Sequence, residues 1–382
     1  MATVNQVYTV INQVAKESLG RAAITVTDPS SYIALGDYIL NSDNVNCKDR
    51  FVQSLTDVIG RTLIDVRELK MKDNKIYKNT FDYGCILRKI NVKLPNAKIN
   101  NSWEIGKSDF KADYAPVIKP TINEKLFSKM VTWEFAVTIP DSILETALHN
   151  AQEMASVISA IFLALDNSIN LALFNMINLT RASFIARKIK SSDNFPLSAI
   201  NVLADYNTLT NKTLTVQGAL ADADFLRYVT RLIFNLKNYL KTPSTLFNTE
   251  DYERQTDDDY LCIDMLSDFS NVLKVNLASD VYNAEMVNIG KYDEVPFWQG
   301  SGTSFSFNDI SKVNVKLDEV TTIEQTGVIA VFYDSEAIGV TMEKKRRRSV
   351  RNDESEYTNY HDKSTMMYFN DMSCNGVVLY MA

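Results

Sequence analysis

Histidines, cysteines, clustered carboxylates and glycine-rich turns are the residues from which catalytic and ligand sites are usually built. The chain has two histidines. His149 falls among apolar neighbours of a helical pattern and His361 in a charged stretch that reads as a loop. Neither has a nucleophile or base beside it to form a catalytic pair. Cys47, Cys85, Cys262 and Cys374 lie far apart with no CxxC spacing, which predicts reduced, mostly buried thiols in place of a zinc site or disulfide framework. Asp257-Asp258-Asp259 gathers three carboxylates but lacks the alternating spacing and central glycine of a calcium loop, so a solvated turn is expected. Gly300-Ser301-Gly302 lacks the flanking strand and helix of a nucleophile elbow. No GxGxxG, phosphate loop or HExxH occurs, and no glycine lies between Gly106 and Gly218 to cradle a phosphate. The expectation is a chain with no catalytic residue, cofactor or metal site.

One run could still bind something. KKRRRSVR, Lys344 to Arg351, is the only dense basic segment. It reads as a charged strand or loop on a surface, or as cations, with Arg346, Arg347 and Arg348 at the centre, that meet phosphates or an acidic patch of a neighbouring copy. The chain as a whole carries a formal charge of −7, which excludes a general nucleic-acid-gripping surface. Trp133 and Phe135 read as core packing and Trp298 as a buried anchor. None shows the basic interleaving of a base-stacking platform.

The elements that position these residues follow from periodicity. With 382 residues, 46% hydrophobic and 23% charged, the chain can build sizeable cores in two or three domains. No basic-then-apolar leader opens it and no segment reaches membrane-spanning length, which predicts a protein left in a cytoplasm-like compartment. Its organising stretch is Asp141 to Lys188, free of Gly and Pro, with Pro140-Asp141 as a start signal and Arg187, Lys188 and Lys190 at the cation-favouring end. A helix from Ala151 to Arg187 would measure roughly 55 Å, the backbone of an elongated subunit. Met1 to Leu19 carries Val7, Tyr8, Ile11, Val14 and Ala15 on one helical face, and Asp28-Pro29 and Asp49 begin further helices. Ile90, Val92 and Leu94 alternate with Lys89, Asn91 and Lys93, and the alternation returns in Val131, Trp133, Phe135, Val137 and Ile139. These two runs flank a polar, lysine-rich connector, Pro95 to Glu124, with Trp103, Phe110 and Tyr114 along it. They read as an extended arm with one face ready to lie on something. Asp222 starts a second strong helix, followed by strands DYLCIDML, Gly327 to Asp334, and Gly376 to Met381.

The order of short arm, long two-stranded extension, spine helix, inserted α/β domain and returning strand resembles the tailed-phage major capsid proteins of the Hong Kong 97 type. It is most similar to those of phi-29-like short-tailed phages. The resemblance rests on DRFVQSLTDVIGRTL (Asp49 to Leu63), TIPDSILETALHNAQEMASVISAIFLALDNSINLALFNM (Thr138 to Met176) and GVIAVFYDSEAIGVTMEKKRRRSVRN (Gly327 to Asn352). It implies an α+β Hong Kong 97-type capsid fold: N-arm at 1–63, E-loop hairpin with supporting strands at 64–137, and peripheral domain with spine helix at 138–195. An axial domain at 196–334 and a return to the peripheral domain at 335–382 complete it. It further implies a non-enzymatic virion protein that assembles in the host bacterial cytoplasm as pentamers and hexamers of a head shell. Trp103, Phe110, Tyr114, Arg346, Arg347 and Arg348 would be assembly residues. The partners implied are a separate scaffolding protein, since the arm is short for a fused one, a portal protein at one vertex, and packaged double-stranded DNA held without sequence-specific contacts. No membrane is involved. Some relatives cross-link a lysine to an asparagine; Lys98 and Lys107 are candidates here, with no partner identified. The competing readings are an encapsulin-like shell around a protein cargo and an enzyme with an unrecognised site.

Overall fold

A computed structural model describes residues 4–19, 25–40, 75–78, 87–95, 97, 119–140, 151–280, 292–299, 305–352 and 354–382. The chain divides into two compact units. One comprises Met1–Asn74, Met130–Asn175 and Met342–Met366, and the other Lys75–Lys129, Met176–Thr341 and Met367–Ala382.

In the first unit, α1 (Val4–Leu19) buries Tyr8, Ile11, Val14 and Ala15, the face its three-and-four spacing defines. The Asn12 side chain bonds both the N–H and the C=O of Val26, at 2.6 and 2.8 Å, pinning the chain that leads to α2 (Pro29–Leu40). Asp28 caps α2 by accepting the Ser31 N–H at 2.7 Å, and Tyr32, Leu35 and Ile39 turn inward. Strand β3 (Met130–Pro140) belongs to a three-stranded sheet in the order β10 (Ile338–Asn352), β11 (Tyr357–Asn370), β3. Its polar face is laced by Thr138 to Asn359 at 2.6 Å and by Glu134 to His361 and Lys363 at 2.7 and 3.1 Å. His361 therefore sits in a strand, not in the loop its charged surroundings suggested. Trp133 is 39% exposed, so it is not the core residue that alternation alone implied.

Helix α3 (Ala151–Ser191) is one unbroken run of 41 residues; residues 141–150, where the start signal lies, fall outside the described ones. Its last part packs in the second unit on a five-stranded sheet ordered β4 (Ala199–Asn201), β12 (Gly376–Tyr380), β9 (Val328–Asp334), β5 (Leu261–Leu266), β6 (Asp293–Val295). Strands β12 and β5 both run antiparallel to β9, and β4 and β6 pair parallel to them at the edges. Every residue of β5 and nearly all of β9 and β12 are buried, which is why these segments read as continuous apolar runs. Short helices α4 (Val202–Thr210) and α5 (Val216–Ala221) lead to α6 (Ala223–Leu240). Asp222 caps α6, accepting the N–H of Asp224 and Phe225 at 2.9 and 3.1 Å. The buried row Phe225, Leu226, Val229, Ile233, Leu236 and Leu240 is the amphipathic face its sequence predicts. After β5 come α7 (Ser267–Asp280), α8 (Phe307–Ile310) and the pair β7 (Val313–Lys316) and β8 (Thr322–Gln325). Trp298 is 1% exposed and donates its indole N–H to Val328 O at 2.8 Å, as a buried anchor. No described helix is long and apolar enough to cross a membrane.

Gly327 enters β9 with φ +76°, and a Cβ there would stand 1.9 Å from Met381 O. Gly327→Ala should therefore cost about 2–4 kcal/mol. Gly218→Ala, whose Cβ would meet only flexible side-chain atoms at 3.4 Å and beyond, should be neutral or stabilising within about 1 kcal/mol. Urea midpoints of the two variants check the pair, and equal midpoints would contradict the strain at Gly327.

Candidate functional site

Strands β1 (Leu87–Val92) and β2 (Ile122–Phe127) form an antiparallel pair in the second unit, with Lys89 opposite Lys125 and Val92 opposite Ile122. Alternation gives this ribbon one apolar and one polar face, and the polar face is the one turned inward. Asn91 is buried, and Lys89 and Lys125 are partly so. Ile90, Val92, Leu94, Ile122 and Leu126 are 53–60% exposed. The outer face carries one cross-strand ion pair, with Arg88 donating to Glu124 at 2.8 Å.

The inward face is held by charge. Asp371, fully buried in the turn between β11 and β12, receives Lys89 Nζ at 2.8 Å on Oδ2 and Lys125 Nζ at 2.9 Å on Oδ1. Ser373 donates its backbone N–H and hydroxyl to the same Oδ1 at 3.0 and 2.7 Å. Burial alone would raise the Asp371 carboxyl, but the two ammonium groups and Ser373 outweigh it and hold it well below the usual carboxylate range. Lys89, which burial would push down, is instead raised by Cys374 and Asp371 and stays charged. A second row of contacts widens the attachment. Asn91 donates to Ser373 Oγ at 3.2 Å and accepts from Arg254 at 2.6 Å, Asn123 donates to Tyr252 Oη at 2.5 Å, and Lys125 also pairs with Glu250.

Beneath this cluster lies Lys188 of α3, with no exposed surface. Its Nζ donates to Phe247 O at 2.9 Å and lies 5.6 Å from the Phe184 ring centroid. Burial lowers it from 10.5 to about 7, against the opposing pull of Cys374 and Asp371. Gly376 makes room for it, since a Cβ there would meet Phe184 Cζ at 2.7 Å and Lys188 Cε at 3.2 Å. Elsewhere in the unit, Arg181 Nε lies 2.6 Å from Asp264 Oδ2, and Tyr333 donates to the same oxygen at 3.1 Å. These buried groups join α3 to β5 and β9. Asp264 Oδ1 is buried there without a hydrogen-bond partner.

The residues singled out from sequence are distributed otherwise. Arg346 and Arg348 are exposed on β10, while the Arg347 side chain, Trp103, Phe110 and Tyr114 fall outside the described residues. So do His149, Cys47, Cys85, Lys98, Lys107 and Gly300-Ser301-Gly302. Cys262 and Cys374 are buried and free. Asp258 of the acidic triplet pairs with Lys237 and Lys241 at 3.3 and 2.6 Å. Among the described residues no group of three or more His, Cys, Asp or Glu is placed to hold a metal. Asp371 and its two lysines went unmarked because no local pattern links them; Lys89 and Cys374, also in contact at 3.0 Å, are 285 positions apart.

The pattern that describes the Phi29-like phage major capsid proteins matches residues 11–380. No curated protein sequence matches the chain. Among solved structures, a chain from the capsid structure of Staphylococcus phage Andhra is 10% identical, covering 81% of this chain and 84% of its own, with a TM-score of 0.51. A chain from a structure of native bacteriophage P68, described for its head fibre and inner core protein gp22, is 11% identical. The match covers 80% of this chain and 83% of that one, with a TM-score of 0.52. At such identity the likeness is one of fold, and that fold is the mixed helix-and-sheet architecture of phage capsids.

Lys188 gives this unit a pH dependence. Between pH 7 and 8.5 the unfolded chain holds a proton on this amine that the folded chain has released, so stability should rise with pH, by at most about 1.4 kcal/mol per unit. The window stops at 8.5 because the buried thiols, raised from 9.0 to about 11, reverse the sign above it. Urea titrations at pH 7.0 and 8.5 should show the rise in the parent and its loss in Lys188→Met. Equal slopes in both would exclude the amine as its source.

Proposed function

The chain belongs to the Phi29-like phage major capsid protein family, and from that membership we propose how it works as a structural protein of the head shell. The outer face of the β1–β2 hairpin is taken to be a contact between copies. The observation that carries this is the inverted hairpin: its charged side is spent on Asp371, and five large apolar side chains are left facing out. A lone folded chain gains nothing from that arrangement, whereas a neighbouring copy laid over the stripe removes it from water. In this reading the hairpin is the base of an E-loop within 64–137, and Trp103, Phe110 and Tyr114 extend the contact along its projecting tip. The N-arm is 1–63, the peripheral domain 138–195 with its return at 335–382, and the axial domain 196–334. Copies gather as pentamers and hexamers, guided by a separate scaffolding protein and closed on a portal at one vertex.

The shell forms in the bacterial cytoplasm and surrounds double-stranded DNA without reading its sequence. A chain of net charge −7 suits a wall that must not trap its contents. The family favours a phage head over a compartment for protein cargo, and the chain works without enzymatic turnover or cofactor. Arg346, Arg347 and Arg348 are the local exception in charge, and contribute either to a neighbour's acidic surface or to the phosphates of packaged DNA.

Ile90→Asp with Leu126→Asp changes two exposed positions, so the unassembled protein should keep its melting behaviour within about 0.5 kcal/mol. The same protein should stay small on size exclusion and show no shells by electron microscopy where the parent forms them. Shells at parental yield would refute the hairpin contact. Reversing Arg346, Arg347 and Arg348 to Glu should leave folding intact while lowering the yield of filled particles, and DNA-filled heads in normal number would assign that run to inert surface.

A further inference from the structure

The outer hairpin face runs into a cleft of about 400 Å³ in the same unit, of which Leu126 and Leu179, both more than half exposed, form apolar lining. Lys129, Arg187 and Lys316 line it too, and among the described residues no Asp or Glu does. Two further atoms are buried there without a hydrogen-bond partner: Arg187 Nε, a donor, and Asn370 Oδ1, an acceptor. Unmet buried groups of opposite kind, in a cationic cleft with apolar walls, define an occupant. It must bring a carboxylate for the cations, a polar N–H for Asn370, and carbon surface for the leucines. A nucleic-acid backbone brings acceptors without the N–H, so a polypeptide fits better.

The chain itself supplies a segment with the carboxylates. Strands β10 and β11, of 15 and 14 residues, are joined by a turn carrying Glu354, Ser355 and Glu356, all exposed. The Asn352 side chain accepts the N–H of Glu354 and Ser355 at 3.1 and 3.2 Å, which shapes the turn. We infer that the acidic β10–β11 turn of a second copy seats in the cleft lined by Lys129, Arg187, Lys316 and Asn370, an ionic contact between copies beside the apolar one. This rests on the head-shell reading above.

Charge reversal tests it. Lys129→Glu with Lys316→Glu alters two exposed side chains, so the unassembled protein should melt as the parent does, while its shell yield falls at least tenfold. Adding Glu354→Lys and Glu356→Lys to the same chain should restore most of that yield, because every copy then carries both reversed partners. Shells from the lysine-reversed protein at parental yield would overturn the cleft contact. A loss that the glutamate reversals fail to restore would overturn the turn as its occupant. Both results require a parent that forms shells; a parent that forms none overturns the head-shell reading itself, and the inference with it.

Discussion

A carboxylate with no exposed surface, Asp371, decides how the second unit presents itself. Taking that charge out of water costs several kcal/mol unless it is paired. Here its pairing is complete, with a lysine from each strand of the β1–β2 hairpin and two donors from Ser373. Because the strand period is two, fixing Lys89 and Lys125 inward forces Ile90, Val92, Ile122 and Leu126 outward. A one-residue slip would bury the apolar stripe but strand the carboxylate, so the register cannot relax toward the solution that hydrophobic burial alone would choose. The polar lock and the exposed stripe are thus two consequences of one pairing.

The lock also ties the hairpin to the end of the chain. Asp371 and Ser373 sit in the turn that feeds β12, and β12 lies between β4 and β9 in the buried sheet. At Gly376, the first residue of β12, Phe184 and Lys188 of α3 fill the space that a Cβ would need. Helix, sheet and hairpin therefore meet within a few residues of Asp371, and the outer stripe is presented from a packed base. That matters for binding, since a surface held rigid before contact loses little conformational entropy on contact.

Much of this was legible in the sequence. The faces of α1 and α6, the cap at Asp222, and the buried runs of β5, β9 and β12 each follow from local period and composition, and each is found. The alternation of Lys89 to Leu94 was legible as an arm with two faces. Which face turns inward was not, because periodicity is symmetric between the two and the answer depends on an acid hundreds of positions away. For the same reason Trp133 was misread: alternation placed it on the apolar side of its strand, but the depth of cover over that side is set by what else packs there. His361 was assigned to a loop on charge alone, and the structure shows charge serving as cross-strand pairing with Glu134.

The two contacts proposed between copies would respond to solution conditions in opposite ways. Contacts of Lys129 and Lys316 with glutamates of a second copy would lie near the surface, where salt screens charges beyond about 8 Å at physiological strength. The apolar stripe is indifferent to moderate salt, and strongly excluded salts strengthen its burial. The lock at Asp371 is less open to both, since its carboxylate is buried between its partners. A subunit built this way keeps its presenting surface constant while the strength of association is set from outside. Many copies of a modest contact can then form, correct and close without any single contact being irreversible. Inward charge and outward hydrocarbon, an unfavourable choice for a solitary chain, is a consistent one for a chain that repeats.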